Sequence, residues 1–174
     1  MNQDKLFDKT CMEIALSEAL LARDSGNYPV GAVLAIGDSV IGKNHNHKEL
    51  KTDSISHAEA LLFLEYSTEL RKYKHKSDKQ KVLYTTLEPC LMCFGMAVIH
   101  RIDRIVVACK DPRGDISSID PHKIGQWYVR NWPKIEYGLL GVQSHDLLYE
   151  FFSQRTDWEA QEAKNLLEEL KNTM

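Results

Sequence analysis

Apolar residues recur at helical spacing from Asp8 to Asp24, where Cys11, Ala15 and Ala19 share one row and Met12, Leu16 and Leu20 lie beside it. That rhythm predicts an amphipathic first helix. After the break Ser25-Gly26-Asn27-Tyr28-Pro29, two β-rich runs within Val30–Gly42 flank Gly37-Asp38, a pair suited to the positive φ of a tight hairpin turn. Asn44 to Ser56 is polar and reads as a loop, and the Ser56 hydroxyl offers an N-cap for a helix from His57 to about Leu70. The charged run from Arg71 to Lys81 has no apolar rhythm, so a solvated loop is expected ahead of a strand over Val82–Thr86.

Pro89 suits the first turn of the next helix, which carries Cys90, Cys93, Met96 and Ala97 on neighbouring rows. Arg104–Cys109 is a buried-type strand, and the order strand, helix, strand predicts a parallel pair with a right-handed crossover. From Asp111 to Pro133 the breakers Pro112, Gly114, Pro121, Gly125 and Pro133 predict irregular chain before a short strand near Lys134–Leu140. Ser144 to Thr173 reads as helical, with six acids against three bases between Glu150 and Lys171. No repeat, low-complexity tract or linker is visible. The 174 residues, 43% hydrophobic, are expected to form a single domain, residues 1–174, with a C-terminal helical extension from about residue 144.

Charge and cysteine usage narrow the function classes. A formal net charge of −3 argues against bulk attraction to nucleic acid, although a local basic patch is compatible with it. The polar N-terminus has no apolar core of a signal peptide, and no apolar run approaches the roughly 20 residues of a membrane span. The expected compartment is therefore a reducing cytoplasm, without membrane attachment. There, Cys11, Cys90, Cys93 and Cys109 are expected to bind metal or do redox chemistry rather than form structural disulfides.

The stretch Thr86-Leu-Glu-Pro-Cys-Leu-Met-Cys93 carries the chemistry. A CxxC at a helix start lets two sulfurs face one ion, and the helix N-terminus favours thiolates. The same fragment is also how a redox dithiol is presented. His57 favours metal. With Cys90 and Cys93 it makes three protein ligands for Zn2+, leaving one tetrahedral position for a water whose pKa falls towards about 7. Glu59, two residues beyond His57, can take that water's proton. Other roles stand beside these: Ser56 and Glu59 fit a capping box, and Cys109 as a fourth ligand would make the ion purely structural. Leu91, Met92 and Met96 read as core or pocket wall. Trp127, Tyr128 and Trp132 suit either base stacking or core and dimer contacts.

His-Ala-Glu at 57–59, followed by Pro-Cys-Leu-Met-Cys at 89–93, resembles the H-x-E…P-C-x-x-C signature of zinc nucleobase deaminases. The motifs resemble the cytidine and deoxycytidylate deaminase superfamily, and the wider pattern is most similar to bacterial tRNA adenosine deaminases and guanine deaminases. The similarity runs through Pro29–Leu34, Asn44–Asn46, His57–Ala60, Leu83–Val107 and, weakly, Gly138–Phe152. It implies a three-layer α/β/α sandwich: a mixed sheet of about five strands, helices on both faces, and the two motif helices side by side beneath the pocket. It also implies that Asn46 binds the base, with Asn44 as a close alternative, and that the enzyme is a homodimer. The implied reaction is hydrolytic deamination of a nucleobase, with Glu59 delivering protons to a ring nitrogen and to departing ammonia. The stretch after Asp111 departs from the tRNA enzymes, lacking their lysine-and-glycine pattern, and the acidic tail is a poor surface for phosphate. A tRNA adenosine deaminase-like substrate is expected, with free guanine, cytosine or a related base or nucleoside as the alternative. A zinc-stabilised RNA-binding module without catalysis is the expectation from another class.

Overall fold

The computed structural model describes residues 3–48, 53–74 and 79–171. β1 (Gly31–Ile36) and β2 (Ser39–His45) form the hairpin that Gly37-Asp38 predicts, with Gly37 at φ 61°, a conformation that glycine adopts without strain. Three further strands follow: β3 (Lys81–Leu87), β4 (Arg104–Cys109) and β5 (Lys134–Tyr137). The sheet order is β2-β1-β3-β4-β5; β1 runs antiparallel to both its neighbours, while β3, β4 and β5 are parallel. This topology gathers the start of β1 and the ends of β2, β3 and β4 at one end of the sheet.

β1 and β3 are buried along their whole length, as strands covered on both faces must be. Alternate residues serve opposite layers. α1 (Gln3–Asp24) sets Cys11, Met12 and Ala15 against Val33, Ala35, Tyr84 and Val106. On the other face, α2 (Ala58–Glu65), the short α3 (Ser67–Leu70) and α4 (Leu91–Ile99) bring Leu62, Phe63, Leu70, Phe94 and Val98 to a core with Leu34, Leu83, Ile105 and Val107. Burying Leu34, Leu62, Phe63 and Leu83 contributes roughly 1.5–3 kcal/mol each. A Cβ at Gly31 would stand 2.1 Å from the Ala15 carbonyl oxygen, so glycine there lets α1 lie directly on β1. α5 (Gln126–Asn131) precedes β5; α6 (Gly141–Ser153) and α7 (Trp158–Lys171) pack on each other, and α6 also meets α1, β3 and β4.

The mixed five-stranded sheet with helices on both faces is the fold that the resemblance implies. Several local expectations change. The first helix begins at Gln3 rather than Asp8, and its buried row includes Met12 and Ala22 while Leu20 is exposed. β2 continues through Asn44 and His45, so only part of the polar run is loop, and residues 49–52 lie outside the described residues. Lys81 belongs to β3, not to a solvated loop: it is buried, and its Nζ donates to the Tyr73 and His100 carbonyls at 3.2 and 2.9 Å. Residues 75–78 of that charged run are likewise outside the described residues.

The helix expected from His57 to about Leu70 divides at Tyr66, and Ser56 does not cap it. The N-cap is His57, without a side-chain cap bond, while the Ser56 hydroxyl donates to Asp53 at 2.7 Å. Pro89 precedes α4 rather than opening it, because Cys90 is the N-cap. Between Asp111 and Pro133 two 3₁₀ turns and α5 interrupt the irregular chain; Asp115 and Asp120 cap the turns by accepting from the backbone two residues on. The C-terminal helix is two helices, broken at 154–157, and residues 172–174 lie outside the described residues. Among the described residues no helix is long and apolar enough to cross a membrane.

Candidate functional site

The end of the sheet where β1 begins and β2, β3 and β4 finish opens into a cavity of about 140 Å3. Val30, Asn46, Leu87 and Asp111 reach it from the strand ends, His57 and Glu59 from the start of α2, and Cys90 from the start of α4. The two helix starts are prepared differently. Asp53 Oδ1 accepts from the Ile55 and Ser56 N–H groups at 2.8 and 2.7 Å, taking up donors ahead of α2 and leaving the His57 ring uncommitted to capping. At α4 the extended backbone of Cys90 starts the first turn, with its carbonyl accepting from Phe94 N–H at 2.9 Å, so Cys90 and Cys93 stand on consecutive sides of that turn.

His57 Nδ1 lies 3.6 Å from both the Cys90 and the Cys93 sulfur, and the three ligand atoms are all within 4.8 Å of one another. A tetrahedral ion with Zn–S near 2.3 Å and Zn–N near 2.0–2.1 Å separates its sulfur and nitrogen ligands by about 3.5–3.6 Å. The spacing and the donor set therefore fit zinc. A hydrogen bond from the Cys93 thiol, opposed by burial and aided by His57, brings the Cys90 thiol down to about 4. The same bond and burial push Cys93 well above the ordinary thiol range, and the Cys90 hydrogen bond raises His57. These groups compete for protons at a point where one cation would satisfy all three.

Glu59 is 3% exposed, and burial raises its carboxyl above the usual range. The Thr85 hydroxyl lies 3.2 Å from its Oε1 and 2.9 Å from the Leu87 carbonyl oxygen, so β3 fixes the carboxyl beside the cavity. A capping-box role is absent, since Glu59 meets Thr85 and Ser56 meets Asp53. Asn46 also lines the cavity and is 4% exposed. Its side-chain oxygen accepts from the Lys48 N–H at 2.8 Å, and among the described residues no hydrogen bond takes up its amide NH2. Asn44 instead accepts from His45 N–H at 2.9 Å.

The other candidates lie elsewhere. Cys109 stands outside the ligand group: its thiol, pushed up to about 12 by burial, meets the Lys110 carbonyl. Trp132 packs edge-on against Phe94, and Trp127 against Tyr128; none of these aromatic residues lines the cavity. Leu91 and Met92 are exposed rather than core, while Met96 packs against the core. Sequence reasoning missed Tyr28, Lys48, Glu88, Asp111 and Arg113 as cavity walls. Glu88 adjoins the cysteine motif and was open to suspicion on that ground; Asp111 and Arg113 sit in irregular chain that no periodicity orients.

The profile of the family described as the cytidine and deoxycytidylate deaminase zinc-binding region matches residues 5–109. A tRNA-specific adenosine deaminase of Bacillus subtilis (strain 168) is 32% identical over 168 residues, covering 97% of this chain and 100% of the relative. Its counterpart in Aquifex aeolicus (strain VF5) is 33% identical over 145 residues, covering 82% of this chain and 92% of that one. A solved structure from work on A-to-I editing by tRNA:A34 deaminases at the wobble position superposes with TM-score 0.65 at 29% identity, over 80% of this chain and 99% of that one. Guanine deaminase from Nitrosomonas europaea shares the fold, with TM-score 0.65 at 21% identity over 82% and 83% of the two chains.

Proposed function

This chain belongs to the cytidine and deoxycytidylate deaminase zinc-binding family, and we propose that its substrate is an adenine carried in tRNA. It is a zinc-dependent hydrolytic deaminase that removes an exocyclic amine from a nucleobase. The observation that carries the tRNA reading is the end-to-end match, 97% of this chain against 100% of a tRNA-specific adenosine deaminase.

His57, Cys90 and Cys93 hold the ion, Glu59 is the catalytic acid and base, and Asn46 binds the base. When bound, zinc supplies the Lewis acidity that makes a water nucleophilic near neutral pH. Glu59 accepts a proton as that water adds to the amine-bearing ring carbon. It passes that proton to the ring nitrogen, then takes the second proton from the added hydroxyl and gives it to the amine, and the carbon–nitrogen bond breaks with loss of ammonia as the carbonyl forms. Its burial raises the carboxyl's affinity for a proton, which suits a group that must take one up and hold it between steps. The Asn46 NH2 donates to an acceptor on the ring and fixes which carbon faces the water. A cavity of about 140 Å3 has room for one small ring system, so a base in RNA enters it unstacked.

The chain acts as one deaminase domain with a C-terminal helical extension, in the cytoplasm. It works as a homodimer, a reading supported by exposed apolar side chains on the neighbouring helices α2 and α4: Leu64, Leu91, Met92 and Ile99. A free base or nucleoside is the second reading, favoured by the six acids against three bases of the tail. A non-catalytic RNA-binding module has no use for a buried carboxyl beside the ligand group.

Purified enzyme is tested on tRNA transcripts with and without adenine at the wobble position, and on guanine, cytosine and adenosine. Inosine in the adenine-bearing transcript is expected; ammonia released only from a free base or nucleoside would replace tRNA as the substrate. Glu59→Gln is expected to retain zinc while turnover falls about 10²–10⁴-fold, and undiminished turnover would remove Glu59 from the chemistry.

A further inference from the structure

We propose that Glu88, which takes no part in the mechanism above, is a positioning residue that sets the substrate-facing wall of the cavity. It follows β3, is 3% exposed, and both its carboxyl oxygens are engaged. Oε1 accepts from the Tyr137 hydroxyl at 2.7 Å and from Ile116 N–H at 3.3 Å, and Oε2 accepts from Asp111 N–H at 3.1 Å. Its own N–H donates to the Cys109 carbonyl at 2.8 Å. One side chain thus draws together β5, the first 3₁₀ turn and the residue two beyond the end of β4.

The segment it holds is poor in other support. Residues 110–115 belong to no helix or strand. Within the segment, Asp111 accepts from Arg113 N–H at 3.0 Å and from the Arg113 guanidinium at 3.1 Å through each carboxylate oxygen. That makes Asp111 and Arg113 a unit, and the unit walls both the cavity beside His57 and an adjoining hollow of about 510 Å3. Ile116 is buried and Asp111 half-buried, and a backbone N–H withdrawn from water without an acceptor is costly, so the Glu88 carboxyl fixes where this unit stands. Glutamine has the same length, but its NH2 cannot accept from the Asp111 N–H. The inference rests on the cavity being the substrate site.

The test compares wild type, Glu88→Gln and Tyr137→Phe on a tRNA transcript with adenine at the wobble position, together with zinc analysis and amide hydrogen exchange. For Glu88→Gln, KM is expected to rise about 10-fold with kcat within about 3-fold, the signature of lost positioning rather than lost chemistry. Zinc stays at about one per chain, and exchange in residues 110–117 accelerates about 10-fold while β4 is unchanged. Tyr137→Phe, which keeps both backbone contacts, is expected to raise KM and exchange in that segment only about 2–3-fold, and it decides the matter if the glutamine variant does not fold. A fall in kcat at constant KM, or unaltered exchange in both variants, would overturn the proposal. Exchange needs no substrate, so absence of inosine with wild type would count against the tRNA reading alone.

Discussion

Each end of the sheet gathers charged and titratable side chains, and the two clusters are satisfied in different ways. At the foot, where β4 begins, Asp8 of α1 accepts from the Tyr84 hydroxyl at 2.6 Å and from Arg104 Nη1 at 3.0 Å, and also pairs with Arg104 Nη2. Arg104 Nη2 donates to Glu136 as well, at 3.0 Å. Burial, and then the Asp8 carboxylate, push the neighbouring Cys11 thiol up to about 11, so it stays neutral. Cation and anions there are matched by protein alone. At the other end, two thiols and an imidazole converge on one point beside a buried carboxyl, and what they are matched to is a cation from outside. Charge closed on itself holds a fold together, whereas a convergent set of donors holds a reagent.

The largest expected effect tests the open end. Cys93 is buried, and replacing it with alanine removes one of the three proposed ligands without exposing a charge. Zinc is expected to fall from about one per chain to less than about 0.1, with turnover reduced at least about 10³-fold. Metal analysis and deamination assays on the same preparation check this. Full zinc with full activity would mean that Cys93 does not hold the ion and would dissolve the contrast.

At the foot the consequence should be stability without chemistry. Arg104→Met leaves Asp8 and Glu136 without their shared cation. The cost is expected to be about 2–3 kcal/mol, below the ~3–5 for a wholly buried pair because Glu136 keeps about a third of its side chain in solvent. Urea unfolding reads the loss, while zinc content and KM of the folded enzyme should stay at wild-type values. A large loss of turnover at unchanged stability would show that the foot is coupled to the site.

Much of this contrast was legible in the sequence, and the missing part has a common cause. His57, Glu59, Cys90 and Cys93 stand out as candidates because their chemistry lies in residue type and short spacing, and the fold brings the His57, Cys90 and Cys93 ligand atoms within 4.8 Å of one another. The hairpin is recognisable because β-rich runs flank a local turn pair, and the parallel β3–β4 pair because a helix separates two strands in sequence. Long-range pairing is what escaped. Lys81 reads as solvated until β3 carries its Nζ to two backbone carbonyls, one of them 19 positions away. Glu88 joins residues 23 to 49 positions away. No window along the chain holds both ends of such a bond.

Glu18 sharpens the comparison, because it combines the location of the open end with the chemistry of the closed one. It belongs to α1 but meets the end of β2, where His45 Nδ1 lies 2.7 Å from Oε2 and Lys43 Nζ 3.0 Å from Oε1, next to cavity-lining Asn46. Burial pushes the Glu18 carboxyl up, but the hydrogen bonds from His45 and Lys43 outweigh it, and the group ionises below its ordinary value of 4.5. A carboxyl lowered by folding contributes stability that is present above that ordinary value and is lost as pH falls through the lowered one. Glu18→Gln should therefore be less stable than wild type by about 1 kcal/mol at pH near 6, a modest figure because Lys43 is largely exposed. The gap should narrow at a pH well below 4.5, as wild-type Glu18 takes up its proton too. Paired urea titrations at the two pH values measure it. A gap of the same size at both would mean that the glutamate packs rather than pairs, and would remove Glu18 from the charges that protein alone balances at the site end, where Asp111 and Arg113 also pair.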